Sequence, residues 1–211
     1  MATLNDQLDA YRRAQDAAER TRLRDDIWGQ YGVEGAVLVL DMSGFARLTQ
    51  KHGVVHYLSM VRTMQLTVEP IVQDHGGQLV KFEADDCFAT FQDTVNAVLA
   101  AIAMQRSFAN SHAEQPPNQR IQVSIGIDTG NYLMPESNDF FGNPVNLASK
   151  LGEDVAVAGE ILLTSAVLKQ LPKTDPFLLT AVQYSISGLV IDAWRVNWQV
   201  DDENRSLDKT G

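Results

Sequence analysis

The chain has 211 residues, is 45% apolar and carries a formal net charge of −10. That size suits one globular domain with modest extensions, and the acidity disfavours nucleic acid or an anionic membrane as partner while leaving a small anionic substrate open, since metal ions and local lysines can reverse the field within one site. The single cysteine, Cys87, excludes a disulfide framework and a cysteine zinc cluster. No stretch reaches the about 18 apolar residues of a membrane span, and the polar start MATLNDQLDAYRRAQ is unlike a signal peptide, so a cytoplasmic protein is expected.

In chain order, residues 1–30 read as a helical extension with a narrow apolar stripe (Leu4, Leu8, Tyr11, Ala14, Ala18, Leu23), broken over Gly29–Gly35. Residues 31–200 read as the main globular domain and residues 201–211 as a disordered tail. Ala36–Asp41 is nearly all apolar, the pattern of a buried central strand. After Ser43-Gly44 an amphipathic segment runs from Phe45 to His75, with a break or bend expected at Gly53 or Pro70. Gln78–Phe82 and Cys87–Phe91 are predicted to form a hairpin with an acidic tip, and Thr94–His112 a helix. Ile121–Gly130 alternates as a half-buried strand does. A loop containing Pro135 and Asn138 follows, then a helix over Asn143–Ala156 with Pro144 in its first turn. Strand Ile161–Leu163, short helix Ser165–Gln170 and strands Tyr184–Leu189 and Ala193–Gln199 complete the chain. The order predicts an α+β fold with a ferredoxin-like βαββαβ core and C-terminal additions.

Three stretches carry chemistry. Asp41 ends an apolar strand just before Met42-Ser43-Gly44-Phe45 and a helix, a place where backbone N–H groups meet phosphate and a carboxylate can hold a divalent ion; capping the helix is the plainer role. The tip Lys81-Phe82-Glu83-Ala84-Asp85-Asp86 puts Asp85 on the strand expected beside Asp41, so two carboxylates could share a metal pair; a turn of ordinary surface carboxylates is the alternative. Asn146 and Lys150 lie four apart on one helix face, able to grip a ribose and a phosphate or simply to face solvent.

Together VLVLDMSGF, GGQLVKFEADDCFATF and VSIGIDTG…DFFGNPVNLASKL, with GLVIDAWRV near the end, resemble the class III adenylyl and guanylyl cyclases over Ala36 to Trp198. The resemblance implies that Asp41 and Asp85 bind two Mg²⁺ or Mn²⁺ ions per active site, that the Met42, Ser43, Gly44 and Phe45 backbone holds terminal phosphates, and that Asn146 orients the ribose. Lys81 and Asp139 match the base-selecting pair of adenylyl cyclases. A Lys donor facing N1 and an Asp acceptor facing the 6-amino group complement adenine, whereas guanine reverses both polarities, so ATP is the favoured substrate. Other nucleoside triphosphates, giving cyclic GMP, CMP or UMP, are the alternatives.

Two departures from the family stand out. Lys150 occupies the position where the family carries a transition-state arginine; a lysine is one point charge rather than a planar fork, and a non-catalytic nucleotide-binding homologue is the rival reading. Ala84 replaces the usual glycine, tolerable unless the turn needs positive φ. Because every position is present in one chain, the resemblance implies a homodimer with two sites. A diguanylate cyclase lacks support without a Gly-Gly-acidic turn, as does an RNA-binding module without paired stacking aromatics. His52 and His56 have metal-ligand spacing, but Gly53 separates them and no third ligand is apparent, so both read as surface residues, like His75 and His112. Trp194 and Trp198 read as one strand face, and Cys87 as a small buried apolar residue.

Overall fold

The run Ala36–Leu40 is fully buried because its strand lies in the middle of a sheet covered on both faces. This computed structural model describes residues 2–135, 139–172, 177–186 and 189–199. The elements are α1 (Leu4–Arg13), α2 (Ala17–Tyr31), β1 (Gly32–Met42), α3 (Phe45–His52), α4 (Val54–Asp74), β2 (Gly77–Glu83), β3 (Asp86–Phe91), α5 (Thr94–Ser111), β4 (Val123–Leu133), α6 (Asn143–Ser149), a π-helical turn (Lys150–Val155), β5 (Ile161–Thr164), α7 (Ser165–Gln170), β6 (Leu179–Ile186) and β7 (Leu189–Val196). Strand order is β2-β3-β1-β4-β5-β7-β6. The first four strands pair antiparallel, which is the ferredoxin-like core. β5 adds parallel to β4, and the β6–β7 hairpin extends the sheet.

Alternation along the strands divides the core in two. Leu38, Leu40, Cys87, Ala89, Phe91, Ile125 and Ile127 face α4 and α5, where Met64, Val68, Ala101 and Met104 meet them. Val37, Val39, Phe88, Tyr132 and Phe140 form a second cluster with Ala148 of α6. α6 approaches β4 so closely that a Cβ on Gly126 would lie 2.2 Å from the Ala148 carbonyl oxygen. Glycine at 126 is what lets that helix sit on the sheet.

Several predicted boundaries move. The N-terminal segment is two helices, not one broken at Gly29; Asp16 caps the second by accepting from the Glu19 amide at 2.7 Å. Gly29 stays helical because it is exposed and costs only about 1 kcal/mol there. Gly53, at φ +86°, breaks the long amphipathic segment, whereas Pro70 does not. The Leu66 carbonyl that Pro70 leaves without a partner belongs to a residue 57% exposed, within reach of water. The predicted helix Asn143–Ala156 is α-helical only to Ser149. β6 and β7 begin earlier than the predicted Tyr184 and Ala193, because β7 takes its register from β5 (Leu163 opposite Trp194) and β6 takes its register from β7 (Leu179 opposite Val196).

Trp198 lies beyond β7, its indole donating to the Gly159 carbonyl at 2.8 Å, so it shares no strand face with Trp194. All four histidines are half-buried rather than surface residues, and His56, His75 and His112 each bond a backbone carbonyl at 2.8 Å. Cys87 is fully buried. Asn138 of the predicted loop, the 187–188 turn and the tail over 201–211 lie outside the described residues. Among the described residues no helix is long and apolar enough to cross a membrane.

Candidate active site

Asp41 ends β1 directly opposite Asp86 of β3 and Ser124 of β4. The register therefore lines up two carboxyls and a hydroxyl across three strands. The Asp86 carboxyl and the Ser124 hydroxyl are the polar neighbours of the Asp41 carboxyl within the sheet. Desolvation, then the Asp85 charge, pushes the Asp41 carboxyl up to about 6. Desolvation, followed by the charges of Glu153, Asp41 and Asp85, pushes Asp86 up to about 7. Two neighbouring carboxyls titrate as a pair, and both shifts combine burial, the larger cause, with the negative charge gathered at this end of the sheet.

Asp85 occupies the tight β2–β3 turn. Its Oδ2 accepts from the Tyr57 hydroxyl at 2.7 Å, and Tyr57 is buried in α4. The turn puts Ala84 at φ +51°, the left-handed region that glycine adopts more readily. Here the missing glycine does leave a strained residue.

The phosphate-loop candidates follow β1. The Ser43 amide is already engaged by the Gln122 carbonyl at 2.9 Å. Gly44 has φ +103°, and α3 begins with no side-chain cap, which leaves its first-turn N–H groups unpaired within the helix. The Arg47 guanidinium lies beside Gly44, 3.9 Å from where a Cβ would stand. Phe45 is 52% exposed and meets the Tyr57 ring edge-on at 4.9 Å.

Lys81 and Asp139 come together from distant parts of the chain, Nζ to Oδ1 at 3.2 Å; Glu83 also pairs with Lys81 at 3.0 Å. Buried Phe140 anchors the loop that brings Asp139 there. It packs edge-on against Phe88 and Tyr132, and Phe141 exchanges two backbone hydrogen bonds of 2.8 Å with Leu133. The Lys81 ammonium sits 5.2 Å from the centre of the Phe88 ring. The Glu83 and Asp139 carboxylates hold Lys81 above its ordinary range, so it is charged at any working pH.

Asn146 is exposed on α6, and the Lys150 amide bonds back to its carbonyl, so the two side chains lie one turn apart on one face. The Lys150 ammonium is paired with Asp154 across the π-helical turn. Gly152 of that turn is pressed on β1, where a Cβ would lie 2.8 Å from the Val39 carbonyl oxygen. That close packing brings Glu153 within electrostatic reach of Asp41 and Asp86. Sequence reading missed Asp86, Glu153 and Tyr57. The register Asp41–Asp86 was open to anyone pairing the two strands; the π-helical turn and the Tyr57 contact had no sequence signal.

Among the described residues no group of three or more His, Cys, Asp or Glu side chains is gathered closely enough to hold a metal ion unaided. Two hard carboxylates with the remaining positions open suit Mg²⁺ or Mn²⁺, which keep waters and complete their shells with substrate phosphates. Asp41 and Asp85, beside the Met42–Phe45 turn and in a cluster whose mutual repulsion a cation would relieve, fit that chemistry.

Residues 33–188 match the family model described as the adenylate and guanylate cyclase catalytic domain. An adenylate cyclase of Streptomyces coelicolor is 30% identical over 139 residues, 66% of this chain and 34% of that protein. A protein of Rhizobium meliloti (strain 1021), provisionally named an adenylate cyclase, is 31% identical over 133 residues, 63% of this chain and 22% of that protein. The chain thus spans about a fifth to a third of the length of the curated relatives it matches. Among solved structures, an adenylate/guanylate cyclase/hydrolase from Silicibacter pomeroyi aligns at TM-score 0.68 and 25% identity, over 78% of this chain and 96% of that one. The adenylyl cyclase CyaB from P. aeruginosa, at TM-score 0.66 and 22% identity over 81% of this chain and 96% of that one, shares the fold. With the family match running over well more than half of its length, this chain belongs to the adenylate and guanylate cyclase catalytic domain family.

Proposed function

We propose that the chain is an adenylyl cyclase catalytic unit that closes ATP into 3′,5′-cyclic AMP with loss of pyrophosphate, acting as a homodimer in the cytoplasm. The observation that carries the choice of ATP is the Lys81–Asp139 pair. A permanently charged donor beside a carboxylate acceptor matches adenine N1 and its 6-amino group, and each mismatched buried polar group costs about 1–3 kcal/mol, enough to reject guanine.

In this reading Asp41 and Asp85 hold two Mg²⁺ or Mn²⁺ ions. When bound, such ions supply Lewis-acid polarisation of the ribose 3′-hydroxyl and neutralise phosphate charge. The chain's own residues do the rest by positioning. Gly44, Phe45 and the first turn of α3 offer N–H groups to the terminal phosphates, with Arg47 beside them. Asn146 orients the ribose so that O3′ faces the α-phosphorus. Lys150, released from Asp154, places its charge on the α-phosphate as the P–O bond to pyrophosphate breaks. Since one chain carries every one of these groups, two copies complete two equivalent sites.

The test is mass-spectrometric product analysis after incubation with ATP, GTP, CTP or UTP and Mn²⁺, beside an Asp85→Asn control. Cyclic AMP from the unaltered protein alone supports the proposal; another cyclic nucleotide refutes the reading of Lys81 and Asp139. One observation favours a second reading, a nucleotide-binding partner without turnover: Lys150 is neutralised by Asp154. Nucleotide binding with no product from any triphosphate selects it.

A further inference from the structure

His52 closes α3 and His56 lies in the first turn of α4, on opposite sides of the Gly53 break. The break does not separate their side chains: the two imidazole centroids are 5.1 Å apart, with the rings inclined at 47°. A metal–nitrogen bond of about 2.0–2.1 Å, plus about 1.1 Å from ring nitrogen to ring centre, sets an ion about 3.2 Å from each centroid; two imidazoles at the tetrahedral angle then have centroids about 5.2 Å apart. The observed separation of 5.1 Å matches what two rings sharing one ion require.

The surroundings agree. A carbonyl can only accept, so the contact between His56 Nε2 and the Asn118 carbonyl at 2.8 Å puts the proton on Nε2 and leaves the Nδ1 lone pair available. A ring nitrogen donating to a backbone carbonyl is the outer-shell arrangement that orients metal-binding histidines. His52 makes no hydrogen bond to the described residues. Desolvation, and then the charges of His56 and Lys51, push its imidazole below the usual range, which favours the neutral form that ligates metal. The C-terminal end of α3 adds partial negative charge at His52.

We propose that His52 and His56 bind one divalent transition-metal ion of borderline softness, Zn²⁺ or Cu²⁺, at the α3–α4 corner, separate from the carboxylate site of Asp41 and Asp85. Imidazole nitrogen selects these ions over Mg²⁺. With two protein ligands, water fills the remaining positions. α3 is the helix that begins at the phosphate loop, so the ion clamps that helix to α4 across its hinge.

The test uses the tag-free full chain, stripped by chelator, titrated calorimetrically with Zn²⁺, and examined with Cu²⁺ by electron paramagnetic resonance. The expected result is one Zn²⁺ per chain, weakened about tenfold or more by His52→Gln or His56→Gln and unchanged by Asp85→Asn, His75→Gln or His112→Gln. Cu²⁺ should show coupling to two nitrogens in the unaltered protein, a readout that needs no variant to fold. Zn²⁺ affinity that survives both histidine substitutions, loss of binding on Asp85→Asn, a single-nitrogen copper spectrum or no binding at all would each overturn the proposal.

Discussion

The Tyr57 hydroxyl, carried on α4, donates to Asp85 Oδ2 at 2.7 Å and so ties the carboxylate of the β2–β3 turn to the helix behind the sheet. Tyr57→Phe keeps the ring against Phe45 and removes this bond together with the longer contact of 3.4 Å to the Met42 carbonyl. The expected cost is about 1 kcal/mol of stability in metal-free buffer. In the metal site proposed above Asp85 loses its outer-shell support too, so Mn²⁺ affinity should fall about tenfold. Urea unfolding and Mn²⁺ titration check the two effects separately.

Stability should depend on pH through Asp41 and Asp86, whose carboxyls burial raises to about 6 and about 7 from the ordinary aspartate value of 3.8. Over that window the native state keeps protons that the unfolded chain has released, so stability is greatest below the unfolded value and falls as pH rises through the native ones. Urea midpoints in EDTA should therefore drop between about pH 4 and pH 7. Asp86→Asn should flatten the slope, and Mn²⁺ at neutral pH should restore stability by neutralising the cluster.

Base choice should follow the polarity of two side chains. Lys81→Glu with Asp139→Cys presents an acceptor where adenine N1 needs a donor and removes the acceptor for its amino group. The ratio of kcat/KM for ATP over GTP should fall by about tenfold to a hundredfold. Paired assays with the two triphosphates give the ratio directly.

Lys150→Arg should raise kcat several-fold with little change in KM for ATP, because a planar guanidinium can hold two phosphate oxygens while still meeting Asp154. Lys150→Ala should lower kcat by at least about a hundredfold if its charge acts in the transition state. Steady-state kinetics at saturating Mn²⁺ separates kcat from KM.

Ala84 holds a left-handed conformation at φ +51°. Ala84→Gly relieves about 1 kcal/mol of backbone strain and should raise the melting temperature by a few degrees. The opposite outcome would mean that the turn gains more from the lower chain entropy of alanine than it loses in strain.

Much of this was legible in the residues themselves. The apolar run Ala36–Leu40 announced a central strand and the alanine-rich stretch announced α5, since periodicity is a property of consecutive residues, while the resemblance of three motifs to a known family named Asp41, Asp85, Lys81, Asp139, Asn146 and Lys150 as site candidates. What stayed hidden depends on residues far apart in sequence. A 3.6-residue pattern cannot report that Gly152 pressed against Val39 accommodates a π-helical turn. Nor can spacing foresee that Phe140, plugged between Phe88 and Tyr132, brings Asp139 to Lys81. His52 and His56 make the same point in reverse: the sequence placed a helix-breaking glycine between them, and only the packed α3–α4 corner turned the two rings toward each other. Strand identity, helix identity and the chemical types at the site are set by the sequence alone; which side chains meet is decided by close packing, where a single Cβ at a glycine is enough to forbid the contact.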